Sequence, residues 1–255
     1  MQRSGQPVLT PMLSRLERLA KLDDADREAL LALPHRLRSM GPTQYLIREG
    51  DEPKHCAVLL SGFAFRSKFM GGGGRQIVAI QMKGDMVDLH NAVLGVADHN
   101  VQALTNIDVA LIPRAAILET SARLPSIARA MWRDTLVDGS ITREWVANVG
   151  RRDAHARVAH LLCEFALRLE TAGLGELSNY ELPMTQEQIA DCVGLTPVHV
   201  NRTLKLLANE NLITRTARTV KIADWERLAE AGDFNSTYLH LDTNGRSRDA
   251  VVPRD

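Results

Sequence analysis

Residues 185–213, TQEQIADCVGLTPVHVNRTLKLLANENLI, constrain the fold most tightly, because two short amphipathic segments meet there at a Gly-Leu-Thr-Pro break. Thr185 and Gln188 have the T-x-x-Q spacing of a capping box, in which each side chain satisfies a free backbone N–H of the other, so a helix starts at this point. Gly194 ends it, since glycine enters the left-handed region without steric cost. Thr196 then caps a second helix with Pro197 at its first position, where a missing N–H loses no bond. Small Ala190 lets the helices cross closely, and Val200, Leu204 and Leu207 recur at the spacing that seats the second helix on a core. Val198, His199, Asn201, Arg202 and Lys205 are left facing outward. This is the spacing of a helix-turn-helix.

The outward side chains suit a duplex. The N-terminal part of such a second helix enters the major groove, where Arg donates two bonds to guanine and Asn pairs its amide with adenine. The following LITRTARTVKIAD reads as two short strands around Thr216-Ala217, a wing carrying Arg215, Arg218 and Lys221. The whole chain balances 31 basic against 31 acidic residues and so gives no global sign of nucleic acid. Between 196 and 221, however, five Lys or Arg face a single acid, Glu210. That local excess suits phosphate contacts, and Thr185 and Thr196 at the two helix starts are expected among the DNA-binding residues. A solvated helix beside an ordinary hairpin is the blander reading; cap, glycine, proline, basic face and wing together favour double-stranded DNA.

The rest of the chain divides by pattern. Residues 11–33 are helical, with Leu13, Leu16, Leu19 and Ala20 on one face, Asp23 or Asp24 as a second cap and a stop at Pro34. From about 36 to 112, short apolar or alternating runs (YLIRE, AVLLSG, FAFRSKF, QIVAIQM, VQALT, VALI) are separated by turn signals, the pattern of a β jelly roll. Gly71 to Gly74 form a hairpin tip; no helix with Lys-Ser/Thr follows, as a phosphate-cradling loop needs. The units expected are a helical preface plus jelly-roll sensor over 11–124, a helix and hinge over 125–150, a winged-helix unit over 151–242, and a disordered tail over 243–255. The fold class is α+β.

The helix after Pro125 carries two apolar stripes. Leu124, Ile127, Met131, Ile141 and Trp145 make the first, interrupted by Asp134 and Asp138. Ala128, Trp132, Thr135, Gly139, Thr142, Val146 and Val149 make the second, at the alternating spacing of a coiled-coil seam. A helix apolar on two sides has two partners: its own barrel for the first stripe and a second copy of the chain for the second. Burial of both stripes within a monomer is the competing reading.

These features together resemble the cyclic-AMP receptor and fumarate-nitrate reductase regulator (CRP/FNR) family over about residues 13–225. The resemblance rests on YLIREGDEPKHCAVLLSGFAFR, the KGD at 83–85, the long helix, Asp153 and the helix pair above. It implies a cyclic-nucleotide-type jelly roll, a dimerisation helix, a winged helix on inverted-repeat DNA, and RNA polymerase as a partner. Arg202 matches the family's recognition-helix arginine, whereas Val198 stands where many members carry a base-reading glutamate. Asp88-Leu89 stand where cyclic-nucleotide-binding members have Gly-Glu, and Ala97-Asp98 where they have Arg-Ser. From 85 to 113 there is no Lys or Arg, against four aspartates. Binding of a cyclic phosphate in the usual pocket is therefore not expected, with Arg143 as the nearest candidate cation and Asp88, Leu89, His90, Asp98 and His99 around it.

Cofactors and metals are not expected either. Cys56 is the sole cysteine before residue 150, so the family's iron–sulfur cluster has no ligand set. His90 and His99 read as polar loop residues rather than haem or metal ligands. The sequence lacks G-x-S-x-G and H-E-x-x-H, and no enzyme is expected. No run of apolar residues is long enough to span a membrane, and the N-terminal stretch MQRSGQPVLTPML lacks the apolar core of a signal peptide, so a cytoplasmic protein is expected. The alternatives left open are a ligand-, haem- or redox-sensing member of the same family, and a barrel-based ligand-binding protein that does not touch DNA.

Overall fold

A computed structural model describes residues 6–216 and 218–241. The turn residue Ala217 and the tail 243–255 lie outside the described residues. Helices α1 (Thr10–Leu19) and α2 (Asp24–Leu31) open the chain, and Asp23 caps α2 in a box with Asp26. Strands β1 (Arg36–Met40), β2 (Tyr45–Ile47), β3 (His55–Ser61), β4 (Ala64–Phe69) and β5 (Arg75–Gln81) follow. Then come the short α3 (Asn91–Leu94), β6 (Asn100–Ala103), β7 (Ile107–Pro113) and α4 (Arg114–Arg123). The strands form two antiparallel sheets, β1-β7-β3 and β2-β6-β4-β5, with the glycine run at the β4–β5 tip. Met40, Leu59, Val87, Val101 and Val109 fill the space between them. The exposed, polar β1 has no counterpart among the strands read from sequence; it is an edge strand, which needs only one partner and little apolar surface.

Helix α5 (Pro125–Arg151) crosses the whole molecule. Its first stripe is buried: Ile127 and Met131 pack with α1, α4 and the outer face of β3, while Ile141 and Trp145 join a second core. That core continues without a break into α6 (Ala154–Thr171), the short β8 (Asn179–Glu181), α7 (Gln186–Val193), α8 (Pro197–Asn209), β9 (Ile213–Thr216), β10 (Thr219–Ile222) and α9 (Trp225–Ala231). Asp134 and Asp138, which interrupt the stripe, are matched from the sensor side. Arg15 Nε donates to Asp134 at 2.7 Å, and Arg66 pairs with Asp138. Tyr238 and Leu239 dock on the DNA-binding unit: Tyr238 Oη donates to Glu164 at 2.8 Å, and Leu239 is buried. Among the described residues, no helix is long and apolar enough to cross a membrane.

Candidate DNA interface and sensor pocket

Local hydrogen bonds build the helix pair. Thr185 Oγ1 accepts from the Gln188 N–H and Gln188 Oε1 from the Thr185 N–H, closing the capping box. Gly194 is left-handed at φ 65°, and Thr196 Oγ1 accepts from the His199 N–H at the start of α8. A Cβ at Gly194 would meet Val149 at 3.0 Å, so this turn also rests against the end of α5. Val200, Leu204 and Leu207 are buried beneath α8.

Opposite them, Val198 is 80% exposed and Arg202 and Lys205 point to solvent; His199 and Asn201 are half-buried. Neither Arg202 nor Lys205 has an ion-pair partner among the described residues. The lone acid of the region is turned away, because Glu210 lies 2.8 Å from His155 on α6. The wing is a three-stranded sheet, β8-β10-β9, with Arg218 exposed and Arg215 half-buried. Strand β8 is missing from the sequence reading, since three residues of which only Tyr180 is buried carry no period.

The candidate seam residues fall on one face of α5. Trp132 is 66% and Val146 69% exposed, Thr135 and Thr142 are open, and Ala128, Gly139 and Val149 are half-buried. Leu136, 55% exposed, widens the apolar strip beyond the residues read from sequence.

Between the jelly roll and α5 is a small cavity lined by Arg15, Arg66, Asp85, Leu89, His90 and Asp138, among others. Its volume is ≈ 10 Å³, room for about one water. Arg143 is not part of it: this side chain lies on the exposed face of α5, and the cavity's cations are Arg66 and Arg15. Arg66 is buried and committed to the protein, its Nε donating to the Val87 carbonyl at 2.9 Å and its Nη1 bonded to Asp138. Asp88 is fully buried with Oδ1 accepting from the Ala57 N–H, and burial pushes its carboxyl up to about 6. His99 Nδ1 lies 2.6 Å from Asp98 Oδ1, and the His90 and His99 ring centroids are 5.1 Å apart. Burial, with Arg66 adding to it, pulls His90 down to about 4. Cys56 is buried as well, its thiol pushed up to about 12 chiefly by desolvation, so it is not an exposed thiol.

A jelly-roll sensor, a long helix and a winged helix-turn-helix with a free basic face define a DNA-binding transcription regulator. Comparison with known proteins agrees. The cyclic nucleotide-binding domain matches residues 37–123 and the Crp-like helix-turn-helix domain residues 156–231. The chain belongs to the CRP/FNR family of transcription regulators, which are not enzymes. It is 29% identical to the transcriptional activator protein FnrL of Cereibacter sphaeroides, over 82% of this chain and 86% of that one. It is 27% identical to the nitrogen fixation regulation protein FixK of Azorhizobium caulinodans, over 69% and 71%. The solved structure of FixK2 from Bradyrhizobium japonicum shares the fold, with a TM-score of 0.72 at 23% identity, covering 78% of this chain and 98% of that one.

Proposed function

We propose that this regulator works in the cytoplasm as a homodimer on an inverted-repeat operator, without cyclic AMP or cyclic GMP as its effector. The observation that carries the dimer is the open strip on α5. Trp132, Thr135, Gly139, Thr142 and Val146 recur at alternating intervals of three and four residues on a helix whose opposite face is already buried. Large apolar side chains left exposed at seam spacing mark a partner surface, and a parallel helix pair brings two copies of α8 to half-sites roughly 34 Å apart. In each half-site Arg202 and Asn201 read base edges, helped by Val198 and His199, while Lys205, Arg215, Arg218 and the helix starts at Thr185 and Thr196 hold phosphates. RNA polymerase is the partner that the family resemblance implies.

Independence from cyclic nucleotides is supported by the sensor cavity. It is far smaller than a nucleotide, and its arginines are already engaged by Asp138, Asp134 and a backbone carbonyl. A cyclic phosphate entering there would have to displace Asp138 from Arg66 beside the buried Asp85 and Asp88, and an anion desolvated next to carboxylates is repelled. The units read from sequence, 11–124, 125–150 and 151–242, divide this work into sensing, coupling and DNA reading. The test is titration calorimetry with both nucleotides, alongside a DNA-binding assay. No heat of binding and unchanged operator affinity are expected; micromolar binding coupled to tighter DNA binding would refute this reading.

A further inference from the structure

Two histidines and a carboxylate, read from sequence as separate loop residues, converge in the sensor. His90, Asp98 and His99 each offer one ligand atom, and the three atoms lie within 4.8 Å of one another. His99 is 5% exposed, and its Nε2 is buried with no hydrogen-bond partner among the described residues. That vacancy needs an explanation, because a buried ring nitrogen left unpaired costs free energy. The bond from Nδ1 to Asp98 supplies one. A carboxylate accepting from Nδ1–H fixes the tautomer and leaves the Nε2 lone pair free, which is how proteins orient histidines that bind metal. The His90 ring stands beside it at a centroid distance of 5.1 Å.

We propose that His90 and His99, the latter oriented by Asp98, form a binding site for a divalent first-row transition-metal ion, of which zinc is the simplest candidate. Two imidazole nitrogens suit zinc or another borderline divalent ion, with the remaining positions open to water or a small ligand. Metal–nitrogen bonds of about 2.0–2.1 Å require the two rings to draw slightly closer. Asp98 is exposed and His90 half-buried, so both have room to move. Lys68 and Arg66 are the opposing charges nearby; Lys68 is paired with Glu49, and Arg66 with Asp138. Through the Arg66–Asp138 pair the site adjoins α5, so an ion bound there sits one contact from the helix that carries the seam. The site stands independently of the DNA-binding reading.

The experiment uses the full chain stripped with a chelator. Cobalt(II) titration is followed by its visible absorption, and zinc(II) is then added in competition. Saturation at one ion per chain is expected, with an imidazole-ligand spectrum that zinc abolishes. His90→Gln should weaken binding by about a hundredfold or more, and Asp98→Asn, which keeps an acceptor for Nδ1–H but loses the charge, by about 10–100-fold. His99→Gln tests the buried ligand; if that variant does not fold, His90→Gln and Asp98→Asn decide, since both lie nearer the surface. Absence of saturable binding in the unaltered protein, or unchanged affinity in His90→Gln, would overturn the proposal.

Discussion

The Arg75 guanidinium lies 2.6 Å from the Asp191 carboxylate, tying the strand after the sensor's glycine tip to the first helix of the DNA-reading pair. Gln76 Nε2 adds a bond of 3.2 Å to the Cys192 carbonyl, so α7 is docked on β5 at two points. Both members of the ion pair are partly shielded from solvent, and such pairs contribute up to about 1 kcal/mol. A double-mutant cycle of Arg75→Ala and Asp191→Ala should therefore show a coupling energy near that size in chemical denaturation. A coupling indistinguishable from zero would mean that apolar packing alone sets the docking.

Recognition should divide between α8 and the wing. Arg202→Ala is expected to cost about 1–3 kcal/mol on the specific site and to relax preference at one base pair. Arg218→Ala should weaken all DNA alike and lower the slope of log affinity against log salt by about 1. Competition binding with single-base operator variants at several salt concentrations checks both. A uniform loss for Arg202→Ala would make it a phosphate contact.

The seam can be broken without touching the core. Trp132→Glu and Val146→Glu put charges on exposed positions that would face their symmetry mates across a twofold axis, where like charges repel. Sedimentation should show the unaltered chain as a dimer and the double variant as a monomer, with thermal unfolding still cooperative. A double variant that remains dimeric would place the interface elsewhere.

Acid should loosen the junction between the long helix and the DNA-binding unit. His160 is buried on α6, with Nδ1 at 3.1 Å from the Gly232 carbonyl and Nε2 at 3.1 Å from Tyr238 Oη; Arg152, Glu144 and Glu164 surround it. Burial, followed by the Arg152 charge, holds its pKa below the usual imidazole range. The unfolded chain therefore takes up the proton first, so this group's contribution is complete above about pH 6.5 and declines as pH falls below it. Denaturation from about pH 8 to 5 should show that loss, and His160→Gln should reduce the slope. An unchanged slope would assign the acid sensitivity to other groups.

What the sequence made legible were features set by local hydrogen bonds and helical period. The Thr185–Gln188 box, Gly194, the Thr196 cap and the two faces of α5 each depend on residues within a turn or two of one another. Arg66 was not legible. In FAFRSKF the alternation of apolar and polar residues puts Arg66 on the solvent side of its strand, but the register between β4 and β5 shifts between Arg66 and Ser67. That irregularity turns both inward, and Ala64 to Ser67 are all buried. Arg143 stands as the nearest candidate cation in the sequence because residues 85–113 hold no Lys or Arg and nothing local shows Arg66 turning inward. The partner of Asp134 was not legible either, since Arg15 lies 119 residues earlier in the chain. The meeting of His90 with His99 depends on how the α3 segment folds back toward β6, which no periodicity records.

The central claim is that a dimer of this chain reads an inverted repeat through α8 with no cyclic nucleotide present. Selection of bound duplexes from a random pool by the purified protein, followed by anisotropy titration of the winning site, tests it most directly. The pool is expected to converge on two inverted half-sites centred about one helical turn apart, with affinity that falls steeply with salt and does not change on adding cyclic AMP. A pool that fails to converge, or converges on a single half-site, or a complex that forms only with the nucleotide, would contradict the account.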